Sequence, residues 1–196
     1  MSVAVGQVLT SPKKLGMWLF LVSDALTFTA LILCYGYVRM ASPAWPKPFD
    51  FSPGILFSTL MTFVLLTSSL TMVMAVDSMR KDQRGRTAKW IVATILCGAG
   101  FIALHMTEWR HMMAEGVTLR TNPWGDPLFG ATFFGLTGLH MAHVASGIVY
   151  LGILGAGVRM GRFTEEDVEV GGLYWHFVDL VWMFLCPLVY LTAVKP

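Results

Sequence analysis

The sequence predicts an all-α integral membrane protein: a bundle of five transmembrane helices, N-terminus inside and C-terminus outside. Three observations carry this expectation. The 196-residue chain is 55% hydrophobic and only 13% charged, about half the charged share of an average soluble domain. Its apolar residues gather in five runs, and a helix needs roughly 20 such residues to cross a bilayer. The basic residues stand at the ends of those runs, where membrane topology places them. The length suits one compact bundle, so residues 1–196 read as a single membrane domain. A formal charge of +2 gives no support for a nucleic-acid partner.

The first span covers about 15–38, after Lys13 and Lys14. A secretory signal has a shorter apolar core and a small-residue cleavage site, so this run reads as a retained anchor. Arg39 closes it, and Pro43, Pro46 and Pro48 follow in a stiff connection with an interfacial Trp45. The second span, about 55–76, is uncharged and rich in Thr, Ser and Met. The most basic loop comes next, with Arg80, Lys81, Arg84, Arg86 and Lys89. The third span covers about 90–106, with Trp109 at its exit. The segment from Arg120 to Pro127 has strong turn chemistry. The fourth span is about 130–158. A loop from Arg159 to Gly172 carries four acids and two arginines, and the fifth span runs about 173–194.

Orientation follows from the basic residues. With the N-terminus inside, the inner segments hold Lys13, Lys14, the five of the second loop, Arg159 and Arg162. The outer segments hold Arg39, Lys47, Arg110, Arg120 and Lys195. Nine against five favours N-in, C-out. The chain shows no 20–50-residue repeat and no matching halves of an inverted-repeat transporter. Cys34, Cys97 and Cys186 all lie inside apolar runs, an odd number that argues against a disulfide framework. No CxxC, CxxCH or HExxH occurs.

Ionisable groups within spans are costly and are functional candidates by default. Here they are Asp24, His105, Glu108, His140, His143, His176 and Asp179. Asp24 lies nine residues after Leu15, about 14 Å into the bilayer at 1.5 Å per residue. It has to be protonated, hydrogen-bonded, or in contact with water or a headgroup, with Ser23 and Thr27 as candidate local partners. One reading makes it a neutral carboxyl in a helix contact; the other gives it a proton-handling or lipid-headgroup role. His140 and His143 share a helix face, as do His176 and Asp179. Two histidines on one face could ligate a metal or haem. The set is poor for that purpose, with no thiolate beside it, so no metal or cofactor is expected in this chain. Interhelical hydrogen bonds are the simpler role. Under the N-in topology His176 and Asp179 lie about 5–10 Å from the inner end of the fifth helix. The groups then sort into an inner layer of Asp24, His176 and Asp179 and an outer layer of His105, Glu108 and His140. Gly138, Ala142 and Ser146, four residues apart, form a small-residue stripe of the kind that lets helices approach closely.

Two stretches go beyond a generic membrane helix. One runs from Gly130-Ala131-Thr132-Phe133-Phe134 through Thr137-Gly138-Leu139-His140-Met141-Ala142-His143-Val144 to Gly147. The other is Tyr174-Trp175-His176-Phe177-Val178-Asp179-Leu180-Val181-Trp182. With Gly16-Met17-Trp18-Leu19-Phe20-Leu21-Val22-Ser23-Asp24 and Thr107-Glu108-Trp109, they resemble subunit III of the haem–copper oxidases, the cytochrome c and quinol oxidases. The resemblance covers the chain from about Leu15 to Val194. It implies a subunit with no redox centre of its own, packed against the catalytic subunit I that holds the haems and copper, and near subunit II. It implies bound phospholipid in a cleft between helix groups, support for proton uptake, and protection of the catalytic subunit during turnover. The location it implies is the bacterial cytoplasmic membrane. By position, Asp24 takes the place of a family intramembrane carboxylate, and Glu108, His140, His143, His176 and Asp179 match family polar positions. Two departures stand out. The long form has seven spans, so this chain resembles the short five-helix form, and the lipid cleft loses two of its helices. The intramembrane acid is Asp where the cytochrome c oxidase branch often has Glu.

Three other readings compete. A related accessory subunit of nitric oxide reductase clusters shares the Y-W-H-x-V-D pattern. An autonomous haem or metal enzyme would use His140, His143 and His176. A proton or ion pathway would centre on Asp24.

Overall fold

A computed structural model describes residues 11–49 and 54–194. Its helices are α1 (Pro12–Ala41), α2 (Leu56–Arg80), α3 (Arg84–Ala114), α4 (Leu128–Arg159) and α5 (Glu165–Val189), followed by a 3₁₀ turn at Leu191–Ala193. All five are long and apolar enough to cross a membrane. Lys195, counted above among the outer basic residues, lies outside the described residues.

The four helices α2 to α5 close into a ring, each packing on its neighbours in order, with α5 returning to α2. α1 stands outside that ring, against α5 and α4. The ring is filled by Met61, Leu65 and Met72 from α2, Phe101 from α3, Phe129 and Phe133 from α4, and Trp175 and Trp182 from α5, all fully buried. Trp175 and Trp182 are seven residues apart, two helical turns, and so point to the same side of α5. Glycines admit these large rings. A Cβ on Gly98 would sit 2.6 Å from Trp175, and one on Gly147 would sit 3.0 Å from it. Gly130 is tighter still, since a Cβ there would meet the Thr118 carbonyl oxygen at 2.0 Å.

Two helices begin earlier than hydropathy predicts. α3 starts at Arg84, not near Trp90, and runs on past Met106 to Ala114. α5 starts at Glu165, not Leu173. The reason is the same in both cases. Hydropathy measures the apolar thickness to be crossed, whereas Arg, Lys and Glu are good helix formers that continue a helix into the polar interface. Only Lys81, Asp82 and Gln83 separate α2 from α3, and Asp82 takes a positive φ of 53° in this tight turn. At α5 a capping box, with Thr164 and Asp167 bonding each other's backbone N–H, fixes the start.

Two smaller expectations also change. Trp45 turns inward, edge-on to Tyr35 and Phe129 at 5.6 Å each. The Gly138–Ala142–Ser146 stripe is not a line of close helix approach: Gly138 faces Trp109, Ala142 is exposed, and Ser146 bonds the Tyr174 hydroxyl. Gly98 and Gly147 instead make room for the Trp175 side chain.

Candidate functional site

The polar groups of the spans fall into three separate places. The first joins α1 to α4. His143 Nε2 lies 3.1 Å from Asp24 Oδ2, and His143 Nδ1 lies 2.8 Å from the Leu139 carbonyl oxygen. A carbonyl only accepts, so Nδ1 carries a proton. Nε2 then either accepts from a protonated carboxyl or donates to a carboxylate. In both arrangements one proton lies between the two side chains and the pair is neutral overall. That removes most of the cost of an acid in the middle of a span. The Asp24 and His143 side chains keep 17% and 18% of their exposure, so the pair is reachable from outside the chain. Phe28 covers one side, its ring 5.1 Å from that of His143. Ser23 and Thr27 do not serve Asp24. Their hydroxyls donate to the carbonyls of Phe20 and Ser23, the habit of Ser and Thr inside helices.

The second place lies between α5 and α2. His176 Nδ1 is 2.7 Å from Ser69 Oγ. Asp179, one turn on, is buried, and neither carboxyl oxygen has a partner among the described residues. His176 and Asp179 stand 11 and 14 residues after Glu165, about 16 and 21 Å along the helix. They are therefore farther from the helix terminus than a helix beginning at Leu173 would put them. Asp24, 12 residues after Pro12, is at a similar height but faces α4. The expected inner layer is thus two unconnected contacts, because α1 turns its carboxyl to His143 and α5 turns His176 to α2.

The third place brings His105, Glu108 and His140 around Trp182. The Trp182 ring is 5.5 Å from His105 and stacks on His140 at 5.3 Å, while Phe101 packs on all three rings. His105 and His140 are fully buried, and their ring nitrogens have no partner among the described residues. Glu108 Oε2 accepts a 2.5 Å hydrogen bond from the Tyr190 hydroxyl, and His105 Nδ1 is 3.8 Å from the same oxygen. Among the described residues no three His, Cys, Asp or Glu side chains converge as metal ligands would. His140 and His143, neighbours in sequence, serve different places, one the ring interior and one the α1 seam.

Sequence reasoning missed Tyr190, Ser69 and Trp182 as partners. Trp182 carried a signal in its two-turn spacing from Trp175. Tyr190 and Ser69 carried none, being 82 and 107 residues from the groups they bond.

Charges concentrate at one end of the bundle. Lys13 pairs with Asp167 at 2.6 Å, Lys14 with Glu169 at 2.5 Å, and Arg80 with Glu169 at 2.6 Å and Glu165 at 3.3 Å. The acids of the α4–α5 segment thus face the basic starts and ends of α1 and α2. At the other end Arg39 holds Thr192, through its hydroxyl and, at 2.8 Å, its carbonyl.

A family model described as cytochrome c oxidase subunit III matches residues 4–194. The chain is 35% identical over 187 residues to cytochrome c oxidase subunit 3 of Bacillus subtilis, covering 93% of this chain and 87% of that one. It is 34% identical over 184 residues to quinol oxidase subunit 3 of the same organism, covering 92% and 87%. Cytochrome bo(3) ubiquinol oxidase subunit 3 of Pseudomonas putida is 31% identical over 183 residues, covering 92% and 86%.

Proposed function

This chain belongs to the cytochrome c oxidase subunit III family of the haem–copper oxidases, and from that premise we propose that it is a non-redox core subunit that keeps the catalytic subunit intact and supplied with protons during turnover. The family makes it a multi-pass membrane protein and one subunit of a larger respiratory oxidase. The proposal adds its place: the bacterial cytoplasmic membrane, N-terminus inside, its 196 residues acting as one domain. Its neighbours are the catalytic subunit I, which carries haems and copper, subunit II, and bound phospholipid.

The observation that carries this reading is the state of α1. Only Leu21, Phe28 and Tyr35 of its 30 residues are buried. They recur every seven residues and form a single narrow seam. The opposite face shows Leu19, Leu26 and Leu33, each about two-thirds exposed. Within the bilayer that face touches either lipid or another subunit. At its mid-height the neutral Asp24–His143 pair is partly open, suited to a polar group of a lipid or a neighbouring helix.

The test is affinity purification of the tagged chain from native membranes, with an absorbance spectrum and mass spectrometry. A haem-bearing large subunit is expected with it, and no Soret band in the chain purified alone. Stoichiometric haem or metal held by the isolated chain would sink the proposal.

A further inference from the structure

One end of the bundle holds the starts of α1, α3 and α5 and the ends of α2 and α4. Its charges are divided unevenly around the circumference. On the side of α1, α2 and α5 the acids already hold Lys13, Lys14 and Arg80. Asp77 takes Lys81 at 2.6 Å, and Asp82 takes Arg84 at 3.5 Å. Glu166 lies close enough to Lys13 and Lys14 to act on both charges. On the side of α3 and α4, Arg86, Lys89, Arg159 and Arg162 are all exposed, and none has an ion pair among the described residues. Residues 1–10 contain no acid to supply one.

These four cations belong to one corner. The chain turns after α4 through Gly161, at a φ of 74°, and lays the Phe163 ring on Gly157, where a Cβ would meet it at 2.1 Å. Arg84, the first residue of α3, donates from Nη1 to the Phe163 carbonyl oxygen at 3.2 Å. That contact ties the turn bearing Arg159 and Arg162 to the first turn of α3. Arg86 and Lys89, three residues apart, share a face of α3 turned away from the buried Thr87 and Ile91. The gathering of cations on one side of a membrane explains why they stand at this end. It does not explain why one flank is matched by carboxylates and the other is not.

We propose that this corner is a docking surface for an acidic segment of a neighbouring subunit of the oxidase, which lays carboxylates across the two cation pairs. The inference deepens the subunit reading above and rests on it. Like charges three apart on a helix oppose each other, so an anion placed across Arg86 and Lys89 relieves them. Three of the four cations are arginines, whose planar fork pairs with a carboxylate through two hydrogen bonds. The other flank of the same end shows this chemistry at work, where an adjoining stretch of chain brings Asp167 and Glu169 onto Lys13, Lys14 and Arg80. Arg86 stands four residues before Trp90, about 6 Å farther along the helix, and Arg162 lies beyond the last residue of α4. The corner therefore projects past the apolar spans, to where a loop or tail of another subunit can reach it. Charges so placed steer the approach of a partner and fix its register.

The test has two parts. The full chain, in nanodiscs of phosphatidylcholine, is titrated with a dye-labelled hexaglutamate peptide and followed by fluorescence anisotropy at low salt. Binding is expected, weakened about tenfold by Arg86→Glu with Lys89→Glu, and likewise by Arg159→Glu with Arg162→Glu. It is expected to vanish in about 0.5 M salt, where exposed charges are screened. Arg110→Glu, the same change on an exposed residue toward the other end of α3, leaves it unchanged. In native membranes a water-soluble carbodiimide, which joins amines to carboxylates, is expected to link Lys89 to an acid-rich stretch of a co-purified oxidase subunit, read by mass spectrometry. Absence of peptide binding, or an equal loss with Arg110→Glu, overturns the proposal. Peptide binding that disappears when the nanodiscs contain phosphatidylglycerol gives the corner to the lipid surface and overturns it too. A haem-bearing subunit that co-purifies while Lys89 is linked to no subunit sinks this inference alone. A wild-type chain that brings down no such subunit sinks the reading above, and this inference with it.

Discussion

α1 and α5 run side by side in the same direction, yet they are held by different forces. α5 buries 12 of its 25 residues and carries the two tryptophans that fill the ring. α1 buries one residue every two turns and is held largely by polar contacts: Lys13 and Lys14 at one end, Asp24 in the middle, Tyr35 and Arg39 at the other. Lipid is as apolar as leucine, so burying leucine against a helix gains little in a bilayer, while close packing and hydrogen bonds decide association. α5 shows the first device and α1 the second. Shape holds the interior of this protein, and a few polar points hold its edge.

Trp182→Ala breaks the packed side and carries the largest expected effect, on the order of 3–5 kcal/mol, read as loss of the folded chain in a thermal or chemical melt. A melt close to wild type would mean that the ring is not held by its aromatic filling. Asp24→Ala comes next, because it leaves His143 Nε2 without its partner. The expected cost to the isolated chain is on the order of 1 kcal/mol, with Asn at position 24 recovering part of it. In the assembled oxidase the same substitution should leave the initial oxygen-consumption rate largely intact while altering lipid retention or shortening the active lifetime. Immediate loss of haem would contradict that expectation, and deleting the whole subunit should likewise shorten lifetime more than it lowers the initial rate. Leu26→Ala on the outer face of α1 should change the stability of the chain by no more than about 0.5 kcal/mol. A reduced yield of co-purified partner with that variant would place the catalytic subunit on this face. Lys13→Ala is the smallest: an exposed pair with Asp167 should give a slight melting shift that disappears in high salt.

The five spans were legible because a bilayer leaves a helix few alternatives, and runs of apolar residues of sufficient length report that directly. The extra turns were not. Arg84 to Lys89 and Glu165 to Gly172 look like loops to a hydropathy reading, yet their side chains suit a helix that projects into the interface. Within the site, the residues that carry polar groups could be named from their position inside apolar runs. Their partners could not. Asp24 had plausible neighbours in Ser23 and Thr27, but local hydroxyls satisfy their own turn, and the carboxyl looks across to another helix. Which helix that is depends on how α1 rotates against α4, a property of packing. The same holds for Glu108, whose partner Tyr190 stands just past the end of α5.

The three attachments of α1 have a mechanical consequence. With both ends and the midpoint fixed, the helix can neither roll about its own axis nor change its tilt without giving up one of them. Its leucine face is therefore set in direction before anything meets it. A neighbouring subunit docking there spends little on restraining the helix, since ordering loose groups is one of the main costs of association. Loosening any single anchor should then be felt as slower or weaker assembly well before it is felt as unfolding.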